Sequence, residues 1–214
     1  MPSVEHLING FNSFKATVFR QRQDIIIHSL QQGLRPSTLV VTGCELRMSP
    51  DMITSSNPGE LYTVRNVGGL IPPKNNEYAV CSMAAIEYAI CDLEVENVII
   101  LGNRYSSAIR MLLDRDDIGS ESEEHIDPMK EWLSIAYPAK KIVIDSLPDA
   151  KYEQLEDEVE KQVILLSIKN LIEYEWVRER LEQNTLKIFG WRFDITSGSL
   201  QGFDSNTRTF EPIA

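Results

Sequence analysis

Histidine and cysteine, which supply most catalytic metal ligands, are scarce in this chain, with three of each among 214 residues. The histidines are far apart, and no two of them stand at ligand spacing (His6, His28, His125). The cysteines form no CxxC pair, and their odd number is typical of a reducing compartment (Cys44, Cys81, Cys91). The sequence therefore predicts neither a disulfide framework nor a histidine-based metal centre.

Long apolar runs and excess basic charge are also missing. No apolar run approaches the roughly 18 residues that span a bilayer, and residues 1–14 lack the basic and apolar regions of a secretory signal. Acidic residues outnumber basic ones by 32 to 21, giving a net charge of −11. This balance argues against nucleic acid and anionic membranes as partners. We expect a cytoplasmic protein.

Hydrophobic residues make up 43% of the chain, enough for the core of one α/β domain. Short β-branched runs predict strands, and apolar residues at helical spacing predict helices between them. This alternation indicates a mainly parallel sheet with crossover helices. Strands are predicted at 39–42, 61–64, 98–101 and 186–194, followed by an edge hairpin. Helices are predicted at 4–19, 20–32, 50–55, 82–93, 128–136 and 152–182, with one more ending at 113 and a break near 173–174.

The predicted organisation is one domain over residues 1–214, with a helical dimerisation arm at 1–35 and an α/β core at 36–214. The apolar faces of the first two helices have no obvious core of their own. Cys81 and Cys91 flank the predicted helix 82–93, and we expect both to be small core residues.

Polar motifs follow two of the predicted strands, where α/β proteins place their sites. Gly43-Cys44-Glu45-Leu46-Arg47 follows the first strand, and Gly102-Asn103-Arg104-Tyr105-Ser106-Ser107 follows the third. Further blocks occur in a fixed order: Pro58-Gly59-Glu60-Leu61, Arg65-Asn66-Val67-Gly68 and Phe189-Gly190-Trp191-Arg192-Phe193-Asp194. In these motifs and their order, nearly the whole chain resembles the β-class carbonic anhydrases.

The resemblance implies the β-carbonic anhydrase fold, a mainly parallel four- to five-stranded sheet flanked by helices. It also implies an N-terminal helical arm that embraces a partner, and hence a homodimer or tetramer, or an assembly with a related active subunit. The family activity is that of a lyase, carbonate dehydratase, and uses zinc.

The zinc ligands of the family are two cysteines and a histidine, in Cys-Ser-Asp-Ser-Arg and Gly-His-x-x-Cys-Gly. Gly43, Asn103 and Ser106 stand at these positions, and none is a good zinc ligand. Cys44 reaches the first position only if the strand slips by one residue, which turns side chains to the opposite face. We therefore expect no zinc and no other cofactor.

Glu45 and Arg47 correspond to the carboxylate–arginine dyad that orients the family's site. Two interpretations stay open: a retained pocket for bicarbonate or another small anion, or a structural ion pair that holds the loop.

Arg104 lies at a predicted helix N-terminus and is a candidate for binding a carboxylate or phosphate. Alternatively, it points to solvent or pairs with an acidic neighbour. Ser106, Ser107 and Asn103 are candidate helix caps. The resemblance places Asn66 and Gly68 along the cleft.

These residues are compatible with three hypotheses for function. The first is a carbonic-anhydrase-like protein that has lost zinc and CO2 hydration but keeps a small-anion pocket or a partner-binding role. The second is an active carbonate dehydratase with an atypical zinc site at Cys44 and Glu45. The third is a zinc-free enzyme that uses Glu45, Arg47 and Arg104.

Overall fold

The fold is taken from a computed structural model, which describes residues 3–33, 35–76, 80–119 and 127–213. His125, the acidic stretch 121–124 and much of the predicted loop around them lie outside the described residues. Within the described part, strands and helices alternate as far as the fourth strand, and two further strands follow it.

The centre of the molecule is a six-stranded sheet in the order β2-β1-β3-β4-β5-β6. The first four of these in sheet order run parallel, whereas β5 and β6 are antiparallel additions at one edge. The strands are β1 (Thr38–Gly43), β2 (Leu61–Asn66), β3 (Asn97–Asn103), β4 (Lys187–Asp194), β5 (Ser199–Asp204) and β6 (Thr209–Pro212).

The prediction of a mainly parallel sheet is confirmed, but the sheet has six strands instead of four or five. The additional strand, β6, has four residues and ends in a proline. Proline cannot donate to a strand ladder, so short edge strands of this kind give a weak sequence signal.

Helices alternate with the strands along the chain. They are α1 (Val4–Ala16), α2 (Val18–Gln32), α3 (Pro50–Thr54), α4 (Val80–Glu87), α5 (Ser107–Asp114), α6 (Pro128–Ser134), α7 (Tyr137–Ser146), α8 (Tyr152–Ile172) and α9 (Glu175–Glu182). Helices α4 and α8 pack against the sheet. The long helix α8 packs on β3 and β4, and its apolar side chains join the core beside Val98 and Ile100. The predicted break after Ile172 is confirmed.

Helix α7 was not predicted from the sequence. Pro138 suggests a helix end, but it occupies the first turn of α7, where a proline has no intrahelical hydrogen bond to lose. The first two predicted helices are present as well, but their boundary is Thr17, not residue 19.

Cys81 and Cys91 are exposed, so the expectation that both lie in the core is wrong. A π-helical turn, Tyr88–Asp92, interrupts the predicted helix 82–93. This turn shifts the helical phase so that Ala89 and Ile90 are buried while Cys91 faces outward.

The N-terminal helices α1 and α2 contact each other and leave large apolar side chains exposed. No residue of α1 is buried. The exposed apolar residues of the pair are Val4, Leu7, Ile8, Phe11, Phe14, Val18, Ile25, Ile27 and Leu30. Among the described helices, none is long and apolar enough to cross a membrane.

Candidate functional site

The candidate site lies where β1 and β3 end side by side. Strand β1 ends at Gly43, and the paired strand β3 ends at Asn103. After Asn103 the chain turns through Arg104 and Tyr105 and enters α5, whose N-cap is Ser106. Two adjacent parallel strands thus deliver both polar motifs to one edge of the sheet, as their positions predict.

The deepest part of the site is built around the carboxylate of Glu45. Ser106 Oγ donates to Glu45 Oε1 at 2.7 Å, and the Gly68 amide donates to Glu45 Oε2 at 3.3 Å. A Cβ placed on Gly43 would lie 2.7 Å from Cδ of Glu45, closer than real side chains approach. The Glu45 carboxylate therefore fills the space that any side chain at position 43 would need. We call Gly43, Glu45, Gly68 and Ser106 the inner site.

The Arg65 side chain and the backbone conformation of Gly68 hold the inner site in place. The Arg65 guanidinium donates to the carbonyls of Gly43, Cys44 and Leu46, which fixes the turn that presents Glu45. Gly68 has a φ of +75°, a conformation that glycine adopts without strain, and this aims its amide at Glu45.

Ser106 is 4% exposed and joins the inner site to a buried ion pair. Its amide donates to Glu160 Oε1 at 3.1 Å, and Glu160 Oε2 lies 2.8 Å from a guanidinium nitrogen of Arg192. Burial raises the pKa of Glu160, although the hydrogen bonds and charge of Arg192 oppose that shift. Because the neighbouring cavity is only about 20 Å³, the inner site has room for about one water molecule.

The inner site does not fit a zinc ion of the family type. At the three ligand positions, Gly43 has no side chain, the Ser106 hydroxyl is engaged by Glu45, and Asn103 offers a neutral amide oxygen. Across the described ranges, no group of three or more histidine, cysteine, aspartate and glutamate side chains is arranged to hold a metal.

Cys44 does not replace the missing cysteine ligand. It lies in the turn after β1 and is exposed. Strand β1 has not slipped by one residue, since Gly43 is its last residue and pairs with Asn66. Partial burial, together with the nearby Glu45 carboxylate, raises the pKa of the Cys44 thiol, which disfavours the thiolate that zinc requires.

Outside the inner site, an open cleft of about 270 Å³ is bordered by three arginines, which we call the outer cleft. Its lining residues are Glu45, Leu46, Arg47, Asn103, Arg104, Tyr105, Arg110, Ile195 and Thr196. Its volume suits a small molecule, unlike that of the inner cavity.

Arg104 and Arg110 form one wall of the outer cleft, and both are ion-paired. Arg104 Nη1 lies 3.1 Å from Asp194 Oδ2, and Arg110 Nε lies 2.6 Å from Glu156 Oε1. Burial favours a higher pKa for Asp194, but hydrogen bonds from Thr196 and Arg104 outweigh it and hold the pKa below its usual range. Of the alternatives for Arg104, the structure shows the pairing with an acidic neighbour, Asp194.

The carboxylate–arginine dyad expected from the sequence is not formed. Glu45 bonds to Ser106 and Gly68, whereas the exposed Arg47 has no ion-pair or hydrogen-bond partner among the described residues. The dyad is broken because the longer glutamate reaches into the space beside Gly43.

The other predicted site residues divide into two groups. Arg47 and Arg104 line the same outer cleft, and Gly68 reaches the inner site through its amide. Asn66 lines neither region, because its side-chain amide bonds to both backbone groups of Leu70. Of the three candidate caps, Ser106 is the N-cap of α5, accepting from the Ile109 amide at 3.4 Å.

Four residues at the site were not predicted from the sequence, although the sequence carries a signal for two of them. Arg110 stands four residues after Ser106 on the same predicted helix face. Glu160 falls on the apolar face of α8 with Val163 and Ile164, which marks it as a buried charge. Tyr105 and Arg192 lie within the motifs at the ends of β3 and β4, but nothing in the sequence marks them as site residues.

Comparisons with known proteins agree with this fold. The family model for carbonic anhydrase matches residues 38–200. The chain is 31% identical over 197 residues to a carbonic anhydrase of Synechococcus elongatus, covering 92% of this chain and 70% of the relative. It is also 31% identical over 194 residues to a carbonic anhydrase of Helicobacter pylori, covering 88% and 85%.

Solved structures show the same likeness. The structure of the β-carbonic anhydrase CcaA superimposes with a TM-score of 0.89 at 27% identity, covering 98% of this chain and 92% of that one. A tetrameric β-carbonic anhydrase from Sordaria macrospora gives a TM-score of 0.78 at 18% identity, covering 92% and 95%. By sequence and by fold, the chain belongs to the β-carbonic anhydrase family.

Proposed function

We propose that this family member works without zinc and does not hydrate CO2, and that its outer cleft binds a small anion. The observation that carries the proposal is the position of Glu45. Its carboxylate fills the space beside Gly43 and accepts from Ser106, so two of the three ligand positions are occupied by an internal hydrogen-bonded contact.

The chemistry of the family supports the same conclusion. Zinc lowers the pKa of its bound water to about 7 and so supplies hydroxide at neutral pH. A glycine, an asparagine and a serine do not compete for this ion. Without that hydroxide, the residues near the site offer no comparable nucleophile, because Ser106 is buried and the pKa of Cys44 is raised.

The anion-binding part of the proposal depends on Arg47. Arg47 is exposed, lines the outer cleft and lacks a partner within the described ranges, and Arg104 and Arg110 line the same cleft. An arginine with free donors binds carboxylate and related anions through two parallel hydrogen bonds.

Metal content and CO2 hydration of the purified protein, before and after added zinc, test the proposal. We expect no stoichiometric zinc and no hydration above the uncatalysed rate. A combined variant that restores the family ligands (Gly43→Cys, Glu45→Asp, Asn103→His, Ser106→Cys) is the matched positive control, and we expect it to gain zinc. Stoichiometric zinc with hydration in the unchanged protein would contradict the proposal, whatever the variant does.

We further propose that α1 and α2 are a dimerisation arm that packs on a second copy of the chain. Their exposed apolar side chains support this, since contiguous apolar patches of this kind mark interfaces. Light scattering should give a dimer or larger assembly. The double variant Leu7→Glu/Phe11→Glu should dissociate it, whereas Gln23→Glu on α2 should not. A monomeric wild-type protein would contradict this part of the proposal.

A further inference from the structure

Tyr105 combines backbone strain with exposure at the wall of the outer cleft. Its φ is +63°, a region that glycine and asparagine occupy readily and that aromatic residues rarely adopt. Its side chain is not buried in exchange for this strain, because the residue is 43% exposed. Strained backbone conformations of this kind cluster at functional sites.

The neighbours of Tyr105 fix where its ring stands. The guanidinium carbon of Arg104 lies 4.9 Å from the ring centroid, and that of Arg110 lies 5.7 Å from it. Both arginines are held in turn by Asp194 and Glu156. These neighbours hold the ring on the cleft wall and cover part of it, while the residue stays 43% exposed.

The charges around the outer cleft set the charge of its ligand. Arg104 and Arg110 are already paired, which leaves Arg47 as the unpaired cation among the described lining residues. Glu45 also lines this cleft, and its carboxylate, held in the adjoining inner site, repels a second negative charge. A ligand with one negative charge matches this arrangement better than a dianion does.

The volume and the apolar lining of the cleft indicate the size and shape of the uncharged part of the ligand. Bicarbonate is far too small to fill about 270 Å³, and it has no apolar surface to place against Leu46 and Ile195. A flat organic body uses these walls and the Tyr105 ring together.

From these observations we propose that the outer cleft binds an aromatic monocarboxylate. Its carboxylate pairs with Arg47, and its ring packs on Tyr105 beside Leu46 and Ile195. This inference rests on the proposed anion-binding function and names the class of anion.

Calorimetric titration of the full chain with four probes tests the ligand class. Benzoate should bind. Benzamide, which lacks the charge, and cyclohexanecarboxylate, which lacks the flat ring, should bind at least about tenfold more weakly. Bicarbonate should also bind more weakly. Benzamide binding as tightly as benzoate would overturn the role of Arg47, and equal binding of cyclohexanecarboxylate would overturn the aromatic class.

Variants of the two contact residues test the geometry. Arg47→Gln should weaken benzoate binding at least about tenfold, whereas Arg178→Gln, at an exposed position on α9, should not. Tyr105→Phe should keep the affinity. Tyr105→Asn should lose it while Tm stays equal or rises, because asparagine tolerates positive φ. If Tyr105→Asn binds benzoate as tightly as wild type, the ring has no part in recognition.

The outcomes also separate this inference from the proposed function. If bicarbonate binds as well as benzoate and Arg47→Gln abolishes both, the anion site stands and the aromatic class is wrong. If no probe binds, the anion site fails as well, while metal content still decides the zinc-free proposal by itself.

Discussion

The inner site and the outer cleft lie next to each other, but they differ in whether their polar groups are bonded within the chain. In the inner site, both carboxylate oxygens of Glu45 and the hydroxyl and amide of Ser106 bond within the chain, and the neighbouring cavity is about 20 Å³. In the outer cleft, an exposed arginine faces about 270 Å³ of open space. A site whose donors and acceptors satisfy one another has little capacity left for a metal or ligand, whereas an unpaired cation retains it.

This contrast predicts that changes near the inner site cost stability and that changes in the outer cleft cost little. The largest effect is expected for Arg192→Met, because it leaves Glu160 buried and without its main cationic partner. Breaking a buried pair in this way costs about 3–5 kcal/mol of unfolding free energy. Urea unfolding followed by tryptophan fluorescence measures it.

Arg178→Met is the matched control for that experiment, because it breaks an exposed ion pair with Glu175. Such pairs contribute about 0–1 kcal/mol. An Arg192→Met protein that is as stable as the control would show that the buried pair does not support the inner site.

A smaller effect is expected for Gly43→Cys, which forces the Glu45 carboxylate away from Ser106. We expect a loss of about 2 kcal/mol. In a Glu45→Ala background, Gly43→Cys should lower the unfolding free energy by less, with a coupling of at least about 1 kcal/mol in the double-mutant cycle. Strict additivity would show that Gly43 and Glu45 do not share the space.

A pH-dependent effect is expected for Asp194→Asn, at the wall of the outer cleft. The folded-state pKa of Asp194 lies below its unfolded value, so its carboxylate stabilises the protein above pH about 4, and this contribution is lost as the pH falls through the folded pKa. The variant should be about 1 kcal/mol less stable at neutral pH. The difference from wild type should shrink below pH about 4.

Asp149→Asn, at an exposed position, is the control for this measurement. A constant difference between wild type and Asp194→Asn from neutral pH to strong acid would contradict the assignment.

The smallest effect is expected for Arg47→Gln. The side chain is exposed and has no partner in the described part of the chain, so its removal should change the unfolding free energy by less than about 0.5 kcal/mol. A loss of 1 kcal/mol or more of unfolding free energy, comparable to that of the inner-site variants, would show that Arg47 belongs to a structural network instead.

Local patterns predicted much of the fold but not the contacts of the site. Strand β1 and strand β3 are runs of β-branched and aliphatic residues that end in glycine or asparagine, so their position and their common edge could be read directly. Helix α7 was missed because a proline suggests the end of a helix, whereas Pro138 lies in the first turn of one. The outward position of Cys91 depends on a π-helical turn, which the hydrophobic periodicity does not predict.

The sequence by itself determined the family, the parallel sheet and the replacement of the family's zinc ligands by Gly43, Asn103 and Ser106. These depend on residue identity and order along the chain. Only the tertiary structure decided that Glu45 turns to Ser106 and leaves Arg47 without its expected partner. Glu45 and Ser106 are 61 residues apart, and their meeting depends on how β1, β3 and α5 pack. The length of one side chain and the space beside one glycine then select the partner, and neither quantity can be obtained from spacing along the chain.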